Sequence, residues 1–209
     1  EISACLVGSE MCIRDRLSLN TIYLVFLSSA ALIIFSFIAN YGNRVTRSKF
    51  LNFLTMFSIT GYAIPGVILA VAFITFVAWF DNNIIKYYEL SSIKKIFIGS
   101  IIGLVIVYFI RFYSLAYNGL KSGYERINRS IDESSYLLGY SKIKTFLGIH
   151  VPYLRNSIFL IGILISIEII KELPITLILR PFNFETFATT AYIYASQDLL
   201  EAAAVPSLF

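Results

Sequence analysis

The chain has 209 residues, of which 57% are hydrophobic and only 14% charged, with a formal net charge of +4 at pH 7. A soluble domain of this length needs far more polar surface, and apolar runs close to the ~20 residues of a bilayer-spanning helix recur, so composition excludes a water-soluble globular protein. The basic residues lie in segments between apolar runs rather than on one face, which excludes a nucleic-acid-binding module.

Residues 1–16, EISACLVGSEMCIRDR, pattern neither as a span nor as a signal peptide. They resemble a translated adapter or assembly tract, and the native sequence is expected from Leu17. Both cysteines, Cys5 and Cys12, fall inside this tract, leaving no disulfide framework or thiolate metal site beyond it.

From Leu17 the chain reads as an all-α polytopic membrane protein, with about four complete spans and a fifth cut short by the end of the chain. The first span is residues 20–39, closed by the charged turn YGNRVTRSK. The second covers 53–80 and contains Gly61, Pro65 and Gly66. Proline there removes a helical hydrogen bond and kinks or interrupts the helix, so these three residues serve either close packing or a hinge. The third span is 96–117, with Arg111 near one end, where its stem can snorkel to the interface. The fourth is 157–179, and a fifth apolar helix begins in LLEAAAVPSLF.

Loop charge sets the orientation. Segments 40–50 and 119–155 together hold nine basic residues, whereas the opposite loops hold Lys86, Lys94, Lys95 and Arg180. The positive-inside rule makes the first pair cytoplasmic. One of these cytoplasmic segments, SIDESSYLLGYSKIKTFLGIHVP, has the pattern of two short helices. Ser130 and Glu133 form a capping box that starts a helix near residue 131. Gly139 suits a left-handed C-terminal cap, Ser141 offers a second N-cap, and Pro152 stops the second helix. Tyr136, Leu137, Ile143, Phe146, Leu147 and Ile149 are too many apolar groups for a hairpin facing only water, and they require a partner surface.

Glu133, Gly139, Ile149, Val151 and Pro152 match in type and spacing the Glu-Ala-Ala loop of the permease subunits of ATP-binding-cassette (ABC) importers, with Ser134 and Ser135 in place of the alanines. The chain resembles that family over nearly its whole length from Leu17. YAIPGVILAVAF and RFYSLAYNGLKSGYERINRSIDESSYLLG are similar to permease segments, and KELPITLILRPFNFETFATTAY, residues 171–192, resembles the ferric-iron group.

The resemblance implies a MetI-like permease fold over residues 17–209, in the bacterial inner membrane, with the hairpin coupling the spans to cytoplasmic ABC ATPase subunits. It also implies a periplasmic solute-binding protein and a second permease half, fused or separate. The sequence contains no phosphate-binding loop of the Gly-x-x-x-x-Gly-Lys-Ser/Thr type, so ATP and magnesium would be bound by the partner ATPase and this chain, not itself an enzyme, would bind no cofactor. Ferric iron is the expected cargo, with thiamine, a polyamine or an inorganic anion as alternatives.

Glu168, Lys171 and Glu172 place charge inside the fourth span, closer to its periplasmic end. Charge at that depth is costly, so this face lines a wet substrate pathway or anchors the helix end at the interface. Glu168 and Glu172 are expected on one helix face at i, i+4. The same charges would also fit the relay of a proton- or sodium-coupled carrier, and a purely structural membrane subunit is a third alternative. His150, the sole histidine, reads as a satisfied loop residue rather than a metal ligand, and no metal site is expected.

Overall fold

The computed structural model describes residues 2–46, 53, 55–56, 60–88 and 99–207, and every regular element among them is helical. Helix α1, Ile2–Thr46, contains the expected first span and continues well beyond it in both directions. Part of the expected second span, within 53–59, lies outside the described residues, as do residues 96–98 of the third and the loop residues Arg47, Lys49, Lys94 and Lys95.

The second span is interrupted rather than continuous. A 3₁₀ turn, Thr60–Ala63, is followed by the break at Ile64 and Pro65, and helix α2, Gly66–Tyr88, starts immediately after the proline. Pro65 has no N–H to donate to the preceding turn but accepts from Leu69 N–H at 3.1 Å, which suits it to a helix start. The Ile64 carbonyl left over at the break accepts from Nη1 of Arg111 at 3.0 Å. Arg111 is therefore tied to a backbone end instead of snorkelling freely.

Helix α3, Ile101–Glu125, outlasts the expected third span by two turns. Helix α4, Arg129–Leu137, and α5, Lys142–Thr145, form the hairpin. A π-helical turn over Phe146–His150 joins α5 to helix α6, Val151–Lys171, so Pro152 does not stop the chain as its lack of an N–H suggested. The π turn explains this: Val151 N–H donates to the Phe146 carbonyl, five residues back, and the widened turn relieves the clash that proline imposes on an α-helical ladder.

The expected fourth span ends early. α6 stops at Lys171, and Pro174 takes the first position of a new helix, α7, Pro174–Leu179. Helices α8, Phe187–Ser196, and α9, Leu200–Ser207, follow; the first had no periodic signal, and the second begins where the fifth apolar helix was expected. Among the described residues three helices are long and apolar enough to cross a membrane, Asp15–Thr46, Ile101–Glu125 and Lys142–Lys171, with a shorter apolar helix at Gly66–Phe80.

The chain divides into two compact units, with divisions inside α1, α3 and α6 and at the break between Ile64 and Pro65. One comprises Glu1–Ser28, Pro65–Tyr108 and Glu168–Phe209. Its buried residues include Leu24, Ala70, Leu104, Val107, Tyr108 and Ile175. The other comprises Ser29–Ile64 and Phe109–Ile167 and buries Leu32, Phe112, Ala116, Leu120, Leu154 and Ile165. Within this second unit small residues let helices approach closely, the packing mode that works without a hydrophobic drive between helices. A β-carbon at Gly119 would come within 2.9 Å of Ile161 Cγ1, and one at Gly123 within 3.0 Å of both Leu154 Cδ2 and Ser157 Oγ. Gly61 is tighter still, because a side chain there would overlap the backbone carbonyl of Ile110.

Candidate functional site

The hairpin is built from local signals that differ from the expected ones at its start. Asn128, not Ser130, is the N-cap of α4: its backbone is extended and its side chain accepts from Ser130 N–H at 3.3 Å. Asparagine is at least as good a cap as serine, and the choice moves the helix start two residues upstream. Ser130 and Glu133 therefore make no capping box, and Glu133 and Ser134 are exposed.

The other end follows expectation. Gly139 has φ +80°, its N–H donates to Tyr136 O at 3.0 Å, and Tyr140 N–H donates to Ser135 O at 3.0 Å. These two bonds are the Schellman arrangement, which only a residue tolerant of left-handed backbone completes cheaply. Ser141 caps α5 by accepting from Lys144 N–H at 3.4 Å. Ser135 replaces an alanine of the motif and brings a hydroxyl into the interior. That hydroxyl donates to Asp132 O at 2.8 Å and is hydrogen-bonded to Thr145 Oγ1 at 2.9 Å, pinning α4 to α5. A groove of about 470 Å³ lies where α4 meets the π turn, lined among others by Ser130, Ser134, Ser135 and Ile149. Val151 and Pro152 continue into α6.

Charge fixes the hairpin to the long helices. Arg44, near the end of α1, donates from Nε to Asp132 Oδ2 at 2.6 Å, from Nη1 to Tyr124 O at 3.1 Å, and from Nη2 to Ile127 O at 3.0 Å and Asn128 O at 3.1 Å. One guanidinium thus binds a last-turn carbonyl of α3, where a cation also favours the helix dipole, and two carbonyls of the link beyond it, and holds the first turn of α4. The other oxygen of Asp132 lies 2.8 Å from His150 Nε2. His150 is fully buried in the π turn, between the rings of Tyr41 and Tyr124 at 5.2 and 5.5 Å, and is helical rather than part of a loop. With the proton on Nε2 the ring donates to the carboxylate. Phe146 packs on Phe37 and Tyr41 at 4.8 and 4.6 Å, and the Tyr41 hydroxyl donates to Lys142 O at 2.6 Å.

Phe146 therefore finds its apolar partners within the same unit. Tyr136, Leu137, Leu138, Ile143 and Leu147 are exposed; Leu137 is 89% exposed and Ile143 72%. The sequence pattern located this face but missed Arg44, Asp132 and Thr145. Arg44 was counted only as loop charge, and Asp132 stood unread beside Glu133, so a search for buried partners of the hairpin's sole histidine would have been the available signal.

The charges of the expected substrate path are not gathered on one face. Glu168 lies on α6 and is half-buried, Lys171 is its exposed last residue, and Glu172 is buried in the break before α7. The i, i+4 relation of Glu168 and Glu172 fails because Pro174 ends the helical register; Glu172 N–H turns back to Ile169 O at 3.1 Å. Thr176 Oγ1 donates to the Glu172 carbonyl and is hydrogen-bonded to the buried Tyr108 hydroxyl, so the break sits in a polar patch within its unit. Beyond α7, Arg180 pairs with Glu185 at 3.1 Å, Asn20 donates to the Glu185 carbonyl at 3.2 Å, and Thr186 with Thr189 forms the capping box of α8.

Gly61 lies in the 3₁₀ turn, and Pro65 and Gly66 lie at the break and the start of α2. Residues 31–208 match the family model described as "Binding-protein-dependent transport system inner membrane component". A curated relative, the Fe(3+)-transport system permease protein FbpB 2 of Haemophilus influenzae (strain ATCC 51907 / DSM 11121 / KW20 / Rd), is 22% identical over 145 residues, or 69% of this chain. The chain spans about a quarter of that relative's length, 26%. The match covers the interrupted second span, the hairpin with its buried clamp, and everything through α9. The chain belongs to the family of inner-membrane permease components of binding-protein-dependent transport systems.

Proposed function

We propose that this chain is part of the membrane-spanning path of an ABC importer that moves ferric iron, delivered by a periplasmic binding protein and driven by separate ATPase subunits. The observation that carries the reading is the hairpin: an exposed apolar face of Leu137, Leu138, Ile143 and Leu147 on a support locked by Arg44, Asp132 and His150. ATP and magnesium belong to the ATPase. Its closure on nucleotide shifts the docked hairpin, and the clamp passes that shift to α1, α3 and α6 instead of letting the hairpin rotate alone. Such transmission requires contacts that differ between the two states, which a rigid element supplies better than a loop.

Residues 17–209 then act as a transmembrane domain with the hairpin cytoplasmic and α2 as a further span, beside a second permease half. The cargo assignment draws on the printed name of the relative and on the resemblance of residues 171–192. Ferric iron is a hard cation suited to carboxylate oxygens, and Glu168 and Glu172 are the acids available on its route. The test is uptake of radiolabelled ferric iron into proteoliposomes holding the complete importer, with binding protein and ATP. Uptake that needs ATP and survives collapse of ion gradients supports the reading. ATP-independent uptake abolished by an ionophore assigns an ion-coupled carrier instead, and ATP-driven uptake of thiamine, a polyamine or an anion without iron changes the cargo.

A further inference from the structure

Within the unit that carries the hairpin, the ends of α1 and α3 enclose an open cleft of about 710 Å³. Lys121, Arg126 and Arg129 line it, and none of the three pairs with a carboxylate among the described residues. Glu125 is the one acid in its lining, and Arg44, also in the wall, is already neutralised by Asp132. Tyr124 backs the cleft with its ring turned inward onto Phe37 and His150, and its hydroxyl is enclosed by protein. Tyr124 itself is 5% exposed. Loop cations placed only by orientation rules would point separately into water; here three line one concavity.

We propose that this cleft binds the phosphate of an anionic phospholipid headgroup. Lys121, Arg126 and Arg129 neutralise the phosphate. The cleft lies at the ends of two helices long and apolar enough to cross a bilayer, which is the depth at which headgroup phosphates sit. A free phosphate shares the chemistry, but a lipid phosphate is held at that depth by its acyl chains and arrives at high local concentration. The inference needs α1 and α3 to cross the membrane and does not depend on the cargo.

The test uses the complete permease in nanodiscs of mixed phosphatidylglycerol and phosphatidylcholine, with lipids retained after mild delipidation counted by native mass spectrometry. Wild-type protein is expected to retain phosphatidylglycerol preferentially, and each of Lys121→Gln, Arg126→Gln and Arg129→Gln to lower that preference by about fivefold. Arg155→Gln removes an exposed cation of the same charge-rich segment outside the cleft lining and should leave it unchanged. The charge-conserving Arg129→Lys guards against loss through misfolding and should retain most of it. Equal preference in wild type and all three neutralised variants overturns the site. Displacement of the retained lipid by millimolar inorganic phosphate overturns the lipid source and reassigns the cleft to a soluble anion.

Discussion

Asp132 and Arg44 meet at 2.6 Å across 88 residues of sequence, with side chains only 14% and 12% exposed. The pair is consequently screened little by solvent, and Asp132 spends its other oxygen on His150. Removing one partner strands the other. Asp132→Ala should cost about 3 kcal/mol, the order seen when a buried pair loses one member. Arg44→Lys should behave more like Arg44→Ala than like wild type, because an ammonium cannot reach one carboxylate and three carbonyls in a planar fork. Thermal denaturation of the detergent-solubilised protein, followed by limited proteolysis of the hairpin, measures both.

The cap of α4 separates two serine-like alternatives. Asn128→Ala removes the acceptor of Ser130 N–H and should lower stability by about 1 kcal/mol. Ser130→Ala should stay within about 0.5 kcal/mol, since its side chain caps nothing. A thermal-shift comparison in which Ser130→Ala is the worse of the two would restore the downstream helix start.

At Gly139 the strain is in the backbone alone. A β-carbon there meets nothing within 4 Å, yet φ is +80°. Gly139→Val should therefore cost about 1–2 kcal/mol, and Gly139→Asn much less, because asparagine tolerates the left-handed region. If the hairpin is the ATPase dock, Gly139→Val should also lose co-purification with the ATPase while still inserting, and Gly139→Asn should keep it. Normal co-purification of the valine variant would remove the hairpin from the coupling role.

Glu168→Gln and Glu172→Gln separate two acids that the helix break holds in different settings. If ferric iron passes this break in an ATPase-driven importer, Glu172, buried there, is expected to matter more: its variant should slow iron uptake about tenfold, a barrier change of ~1.4 kcal/mol, with ATPase assembly intact. Glu168→Gln should do less. Uptake at the wild-type rate in the double variant would assign both carboxylates to anchoring the end of α6.

Much of this was legible before the structure. Apolar runs announced the helices, and Gly139 and Ser141 announced the hairpin's turn and second cap, because each rests on a local rule with few exceptions. Prolines were harder. Pro65 interrupts, Pro174 restarts and Pro152 is absorbed, and the difference lies in what the neighbouring turn can do with a missing N–H, which no single position states. The buried clamp was least visible, since Arg44, Asp132 and His150 lie far apart in sequence and each has an ordinary surface explanation when read alone. Asn128 was overlooked for a simpler reason: two acceptable caps stood two residues apart, and the serine completed a more familiar pattern.

The π turn at Phe146–His150 has a geometric consequence for how the two ends of the Lys142–Lys171 rod are aimed. A π turn is an α-helix carrying one surplus residue, and one residue of α-helix is worth about 100° of rotation and 1.5 Å of rise. The surplus residue thus sets the azimuth of Ile143 and Leu147 against that of Leu154, Ile161 and Ile165, like a phase offset between two gears on one shaft. Deleting Gly148, whose β-carbon position is empty space, would let the segment return to α-helical pitch with both faces near their present azimuths, whereas winding all of its residues as α-helix would turn one face against the other by about 100°.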